Sequence, residues 1–130
     1  MRLIIAGDRR FRDYVKLCSA MNDLYAKGYH PNVIVSGGAK GTDTLGERWA
    51  REHHVMVARF PAEWNKYGKA AGPIRNKQMA EYAAAGNDGV LLAFLSPESK
   101  GTKHMVETAR KTSGLSIIVV NILIPDEEYA

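Results

Sequence analysis

Apolar runs alternate with helical periodicities along the whole of this chain. Strand-like apolar runs occupy Arg2–Ala6, Asn32–Ser36, Val55–Phe60, Gly89–Leu95 and Leu115–Ile122. After the first, Tyr14, Leu17, Cys18, Met21, Leu24 and Tyr25 recur at helical spacing, and Gly28 stops the pattern. A second helix is predicted from about Thr42 to His53, with Leu45, Trp49 and Ala50 on one face. A third starts at Pro73, a favoured first helical position, and turns Met79, Ala80 and Ala83 inward. A fourth runs from about Thr102 to Thr112 with Met105, Val106 and Ala109 inward, and Gly114 ends it.

Strand and helix in strict alternation, with nearly all-apolar central strands, describe a parallel sheet covered on both faces. Right-handed crossovers then give an α/β fold: a Rossmann-like three-layer sandwich around a five-stranded, mostly parallel sheet of order 3-2-1-4-5. A chain of 130 residues suits one domain. The expected domain covers 1–123, with 124–130 as a peripheral tail.

In an open parallel sheet, ligands bind beyond the carboxyl ends of the strands. Every unusual segment of this chain falls at that edge. They are Gly7-Asp8-Arg9-Arg10-Phe11, Ser36-Gly37-Gly38-Ala39-Lys40-Gly41-Thr42-Asp43, Pro61 to Gly68 leading into Gly72-Pro73-Ile74-Arg75-Asn76, and Ser96-Pro97-Glu98-Ser99-Lys100-Gly101-Thr102. The other edge carries plain connectors, Lys27 to Pro31 and Ala85 to Asp88. This one-sided placement predicts a phosphate or nucleotide site, because glycine turns and helix N-termini present backbone donors to anions.

Chemistry assigns roles, several with a plainer alternative. Gly37, Gly38 and Gly41 open backbone access and Thr42 offers a hydroxyl, or the turn is an ordinary β-α connection closed by a Thr44/Glu47 capping box. Asp43 accepts from ribose hydroxyls or simply places charge at a helix start. Arg75, in the first turn of the third helix beside Asn76, clamps a phosphate or forms an exposed ion pair. Gly101 and Thr102, with Lys100, make a second cradle. Trp64 and Tyr67 offer stacking faces or pack the loop down. Arg9 covers the ligand or is solvated. Ser36, Lys40, Gly7 and Asp8 complete the candidate set. His30, His53, His54 and His104 lack ligand spacing and are read as surface residues, so no metal is expected.

Composition narrows the classes. A lone Cys18 excludes an internal disulfide and is read as a small core residue. No leader or membrane-length apolar run is read, which predicts a cytoplasmic protein with no membrane partner. The net charge of +4 suits an anionic partner, but without a basic tail or stripe it disfavours extended nucleic acid. Neither Gly-x-x-x-x-Gly-Lys-Ser/Thr nor Gly-x-Gly-x-x-Gly occurs, so a Walker loop and a standard dinucleotide site are excluded.

The segments Ala6 to Arg9, Ser36 to Asp43, Phe60 to Trp64, Gly72 to Asn76 and Lys100 to Met105 together resemble the SLOG superfamily, and within it the YspA-like, cpYpsA-related branch. The resemblance spans about residues 1 to 120. It implies a Rossmann-like fold, a bacterial or phage setting, a nucleotide or nucleotide-derived ligand that is sensed, sequestered or presented, and a homodimer or higher homo-oligomer. More distantly, Arg75 to Met79 is similar to the arginine-bearing helix start of the Lonely Guy phosphoribohydrolases, which cleave the base from nucleoside monophosphates. Pro97 to Met105 stands where they carry Pro-Gly-Gly-x-Gly-Thr-x-Glu-Glu. Here Glu98-Ser99 replaces the glycine pair, and His104 and Met105 replace the glutamates, one of which acts in cleavage; Glu107 is half a helical turn away. The resemblance therefore implies binding without an assigned catalytic residue, with a nucleotide N-glycosidase as the rival. Ser36 to Asp43 and Ile74-Arg75-Asn76 also resemble the DNA-processing protein A family. That likeness leaves a single-stranded nucleic-acid binder as the third reading.

Overall fold

The computed structural model describes residues 1–86 and 88–125. Five strands, β1 (Arg2–Gly7), β2 (Val33–Ser36), β3 (Met56–Arg59), β4 (Gly89–Leu95) and β5 (Leu115–Asn121), form one sheet of order β3-β2-β1-β4-β5. Every pairing is parallel; Leu3 sits opposite both Ile34 and Val90, and Leu92 opposite Ile118. The Rossmann-like α/β architecture expected from the alternation is the one observed. Among the described residues no helix is long and apolar enough to cross a membrane.

The pleat divides β1 between two cores. Leu3 and Ile5 face a cluster with Leu17, Met21 and Leu24 of helix α1 (Tyr14–Ala26) and Trp49 and Ala50 of α2 (Thr42–Glu52). Ile4 and Ala6 face a second cluster with Met79, Ala80 and Ala83 of α4 (Ala71–Ala85) and Met105, Val106 and Ala109 of α5 (Lys100–Arg110). The helices therefore cover both faces, which is why β1 and β4 are apolar at nearly every position.

Of the periodic residues of α1, Leu17, Met21 and Leu24 are buried, whereas Tyr25, one position round from that stripe, is exposed. Several local expectations need correction. The run Val55–Phe60 is an edge strand, shortened to Met56–Arg59 and mostly exposed; Met56 is 72% exposed. The segment before Pro73 is already helical, as α3 (Trp64–Tyr67) and a 3-10 turn at Gly68–Ala70 lead straight into α4. Pro73 is then the third residue of α4 rather than its first, still within the turn where a missing N–H costs nothing. Arg75 and Asn76 consequently sit in the second turn. Helix α5 begins at Lys100, two residues before the expected Thr102. The tail from 126 and connector residue Asn87 lie outside the described residues.

Candidate functional site

The strand order reverses between β1 and β4, and a cleft of about 760 Å³ opens there, beyond their carboxyl ends. Its walls are the loop after β1, the loop after β4 with the start of α5, and the first turns of α4 with Trp64. Of the residues singled out in the sequence, Gly7, Asp8, Arg9, Asp43, Trp64, Arg75, Asn76, Lys100, Gly101 and Thr102 line it. Ser36, Gly37, Gly38, Lys40, Gly41 and Thr42 do not, although their neighbour Ala39 does. Trp64 is half exposed and flanks Gly72; Tyr67 lies off the cleft with Lys66 over its ring.

Asp8 ties the two loops together. Its Oδ1 accepts from Arg10 backbone N at 2.8 Å and Nε at 3.0 Å, and its Oδ2 accepts from Arg10 Nη2 at 2.8 Å. Ser96 Oγ at 2.5 Å and Ser99 Oγ at 2.9 Å donate to the same Oδ2. Arg10 also bridges to Glu98 at 2.9 Å. The Arg10 guanidinium, helped by the two serines, holds the Asp8 carboxyl well below the usual carboxylate range against its burial. Ser99 occupies the N-cap position of α5, but its hydroxyl is engaged with Asp8 and α5 has no side-chain cap. The first-turn amides of α5, with Gly101 and Thr102 among them, have no upstream helix carbonyl to bond and sit at the cleft. A side chain added at Gly101 would meet only open space.

The glycine turn after β2 is closed on itself. Gly38 N donates to Ser36 Oγ (3.1 Å), Ala39 N to Asp43 Oδ2 (3.0 Å), and Thr42 N and Oγ1 to the Asp8 carbonyl (3.3 and 2.9 Å). No Thr44/Glu47 capping box forms: Thr44 Oγ1 donates to the Ala39 carbonyl, and Glu47 accepts from Ser36 Oγ and from Arg59. The turn's role at the cleft is to seat Arg75. Arg75 Nη1 donates to the Gly37 carbonyl at 2.9 Å, and a Cβ at position 37 would collide with that nitrogen. Arg75 Nε donates to Asn76 Oδ1 at 3.1 Å, and Asn76 Nδ2 lies 3.0 Å from His104 Nδ1. Arg75 makes no ion pair at hydrogen-bond distance among the described residues; burial draws its guanidinium down from its ordinary value, while Asp43 opposes that shift.

Asp43 is the unusual acid of the cleft. Burial pushes its carboxyl up to about 6, partly offset by the Ala39 N–H, Arg75 and Arg9, while Glu47 adds to the rise. A folded-state value above the ordinary 3.8 means that the folded protein holds the Asp43 proton more tightly than the unfolded chain. Stability therefore falls as pH rises from about 4 to about 6 and stays lowered above that. Asp43→Asn is expected to stabilise the fold by up to about 3 kcal/mol above pH 6, the gain shrinking to nothing below pH 4. Urea denaturation at pH 4 and pH 7.5 checks it; a gain independent of pH would remove the titration as its cause.

Ser96, Glu98, Ser99 and Arg10 were not among the expected ligand-site residues, yet they brace the cleft; His104, expected at the surface, is exposed and lines the cleft as well. The Ser96–Thr102 turn was visible as unusual; its hydrogen bonds to Asp8, 88 and 91 positions away, were not. Among the described residues no three His, Cys, Asp or Glu groups are arranged to hold a metal ion.

A family model described as "YspA, cpYpsA-related SLOG family" matches residues 1–67. That segment runs from β1 to α3 and includes Asp8, the glycine turn and Asp43. The "Gene 61 protein" of Mycobacterium phage D29 is 34% identical over 122 residues, covering 90% of this chain and 94% of that protein. No solved structure matches significantly.

Proposed function

We propose that this chain, which belongs to the YspA, cpYpsA-related SLOG family, binds a phosphorylated nucleotide or nucleotide-derived ligand in the cleft between the β1 and β4 loops. The observation that carries this reading is the start of α5, left without a side-chain cap because Ser99 is turned to Asp8, and lining the same cleft as the half-buried Arg75. Helix N-terminal amides and a guanidinium are the donor set that anions select. We assign the phosphate there rather than to the glycine turn, whose Gly38, Ala39 and Thr42 amides are already engaged. Trp64 supplies an exposed ring for the base, and the cleft lies in the upper part of the size range of small-molecule sites. In this reading the protein senses, sequesters or presents its ligand.

A second reading, cleavage of the N-glycosidic bond, is favoured by one observation. Asp43 is a carboxyl in the cleft that titrates near 6, a suitable range for a general acid. Against it, the carboxyl faces the Ala39 amide, and position 104 carries an imidazole. The deciding experiment incubates the protein with AMP, GMP, CMP and UMP, measures binding by calorimetry and free base by chromatography. Binding without base release is expected. Catalytic base release that disappears in both Arg75→Ala and Asp43→Asn would replace the binding reading by the glycosidase. Salt-sensitive binding to oligonucleotides in preference to mononucleotides would replace both.

A further inference from the structure

We propose that Arg75, Asn76 and His104 form a one-way hydrogen-bond chain that makes His104 a fixed donor to the ligand, so that the ligand must present a phosphoryl oxygen beside α5. The ligand half of this proposal rests on the nucleotide-binding reading above; the chain itself does not.

The direction is set at Arg75. A guanidinium Nε only donates, and it stands 3.1 Å from the Asn76 side-chain oxygen. That contact fixes which way round the amide lies. Its nitrogen then faces His104 Nδ1 at 3.0 Å, and because an amide nitrogen only donates, Nδ1 accepts and carries no proton. The flipped amide would set two donors against each other at Arg75, and Asn76, 5% exposed, has little access to water that could relieve the clash. Thr108 Oγ1, whose proton goes to the His104 carbonyl at 2.9 Å, could only accept from Nδ1, and at 3.4 Å it is the longer contact beside the Asn76 donor at 3.0 Å. A neutral imidazole with an unprotonated Nδ1 carries its proton on Nε2.

Among the described residues Nε2 has no partner, and His104 lines the cleft one turn inside the start of α5. Beside His104 Nε2–H stand further donors, the Gly101 and Thr102 amides and the Arg75 guanidinium, while the carboxylates that also line the cleft are already engaged, Asp8 and Glu98 by Arg10 and Asp43 by the Ala39 amide. A phosphoryl oxygen satisfies such a set, whereas an amine placed there would leave donors facing donors. His104 is thus a specificity residue and Asn76 its positioning residue. No sequence spacing reveals this, because the link joins α4 to α5 across 28 positions.

The test has one part that needs no ligand. Long-range proton–nitrogen NMR on histidine-labelled protein reads the tautomer directly. The expected result is a proton on Nε2 of His104 in the wild type, moving to Nδ1 in Asn76→Asp, which swaps the facing donor for an acceptor. A proton on Nδ1 in the wild type overturns the chain. Calorimetry with AMP, adenosine and inorganic phosphate tests the rest. His104→Phe should weaken AMP at least about tenfold and adenosine little, while His104→Gln, which keeps an N–H, should lose only about threefold. Equal losses in Phe and Gln variants, or no loss in either, overturn the donor role. Equal losses for AMP and adenosine overturn the phosphoryl assignment. Failure of the wild type to bind either AMP or phosphate overturns the nucleotide reading and the ligand half with it, while the tautomer still decides the chain.

Discussion

Replacing Arg75 with alanine is expected to weaken AMP binding about 10- to 150-fold and to leave adenosine binding nearly unchanged. The range corresponds to one charge-assisted hydrogen bond to phosphate, about 1.5–3 kcal/mol. The guanidinium is held before any ligand arrives, by the Gly37 carbonyl and the Asn76 side chain, so little side-chain freedom remains to be lost on binding. Arg75→Lys should recover only part of the loss, because an ammonium keeps the charge but cannot make the Nε contact to Asn76 or the planar fork. Calorimetry on the three proteins with both ligands is the measurement. An equal fall for AMP and adenosine would mean that Arg75 shapes the cleft without contacting phosphate.

Gly41→Ala is expected to cost about 2–5 kcal/mol of stability, the largest effect of any single methyl addition in the glycine turn. Gly41 has φ +76° and ψ −122°, a conformation that side chains rarely adopt. The added Cβ would collide with the Arg9 carbonyl oxygen and lie 2.6 Å from that of Asp8, both backbone atoms that cannot swing aside. Gly37→Ala makes the informative contrast. Its Cβ strikes the tip of Arg75, a side chain that can move, so its damage should fall on AMP affinity more than on stability. Urea unfolding of both variants checks the pair. A Gly41→Ala protein within about 0.5 kcal/mol of wild type would show that the β1 loop can shift to accept it.

The order of the sheet and the edge at which the cleft opens were legible because parallel strands buried on both faces are apolar throughout, and because glycine and arginine segregated to one side of the alternation. The core positions Met79, Ala80, Ala83, Met105, Val106 and Ala109 followed from helical period alone. What misled was local chemistry with a tertiary owner. Thr44 and Glu47 have capping-box spacing, yet Arg59 and Ser36 take the glutamate and the Ala39 carbonyl takes the threonine proton. Pro73 reads as a helix start, yet α3 and the 3-10 turn bring the chain in already coiled. For the glycine turn, which has the composition of an anion cradle, the structure adds that Asp43 answers the Ala39 amide and Asp8 the Thr42 amide. His104 could not be read because its significance depends on which atom of Asn76 faces it.

Ser99 gives its hydroxyl to Asp8 and not to the helix that it begins. A side-chain cap is worth about 1 kcal/mol to a helix, so α5 forgoes that increment so long as no anion sits at its end. A bound phosphate then acts on two equilibria at once, its own occupancy and the integrity of α5. By mass action, ligand at one hundred times its dissociation constant adds about 2.7 kcal/mol to the folded state. On the proposed reading the melting temperature of this protein would then gauge ligand concentration, and fraying of α5, followed by amide exchange at residues 101–103, would report locally whether the cleft is filled.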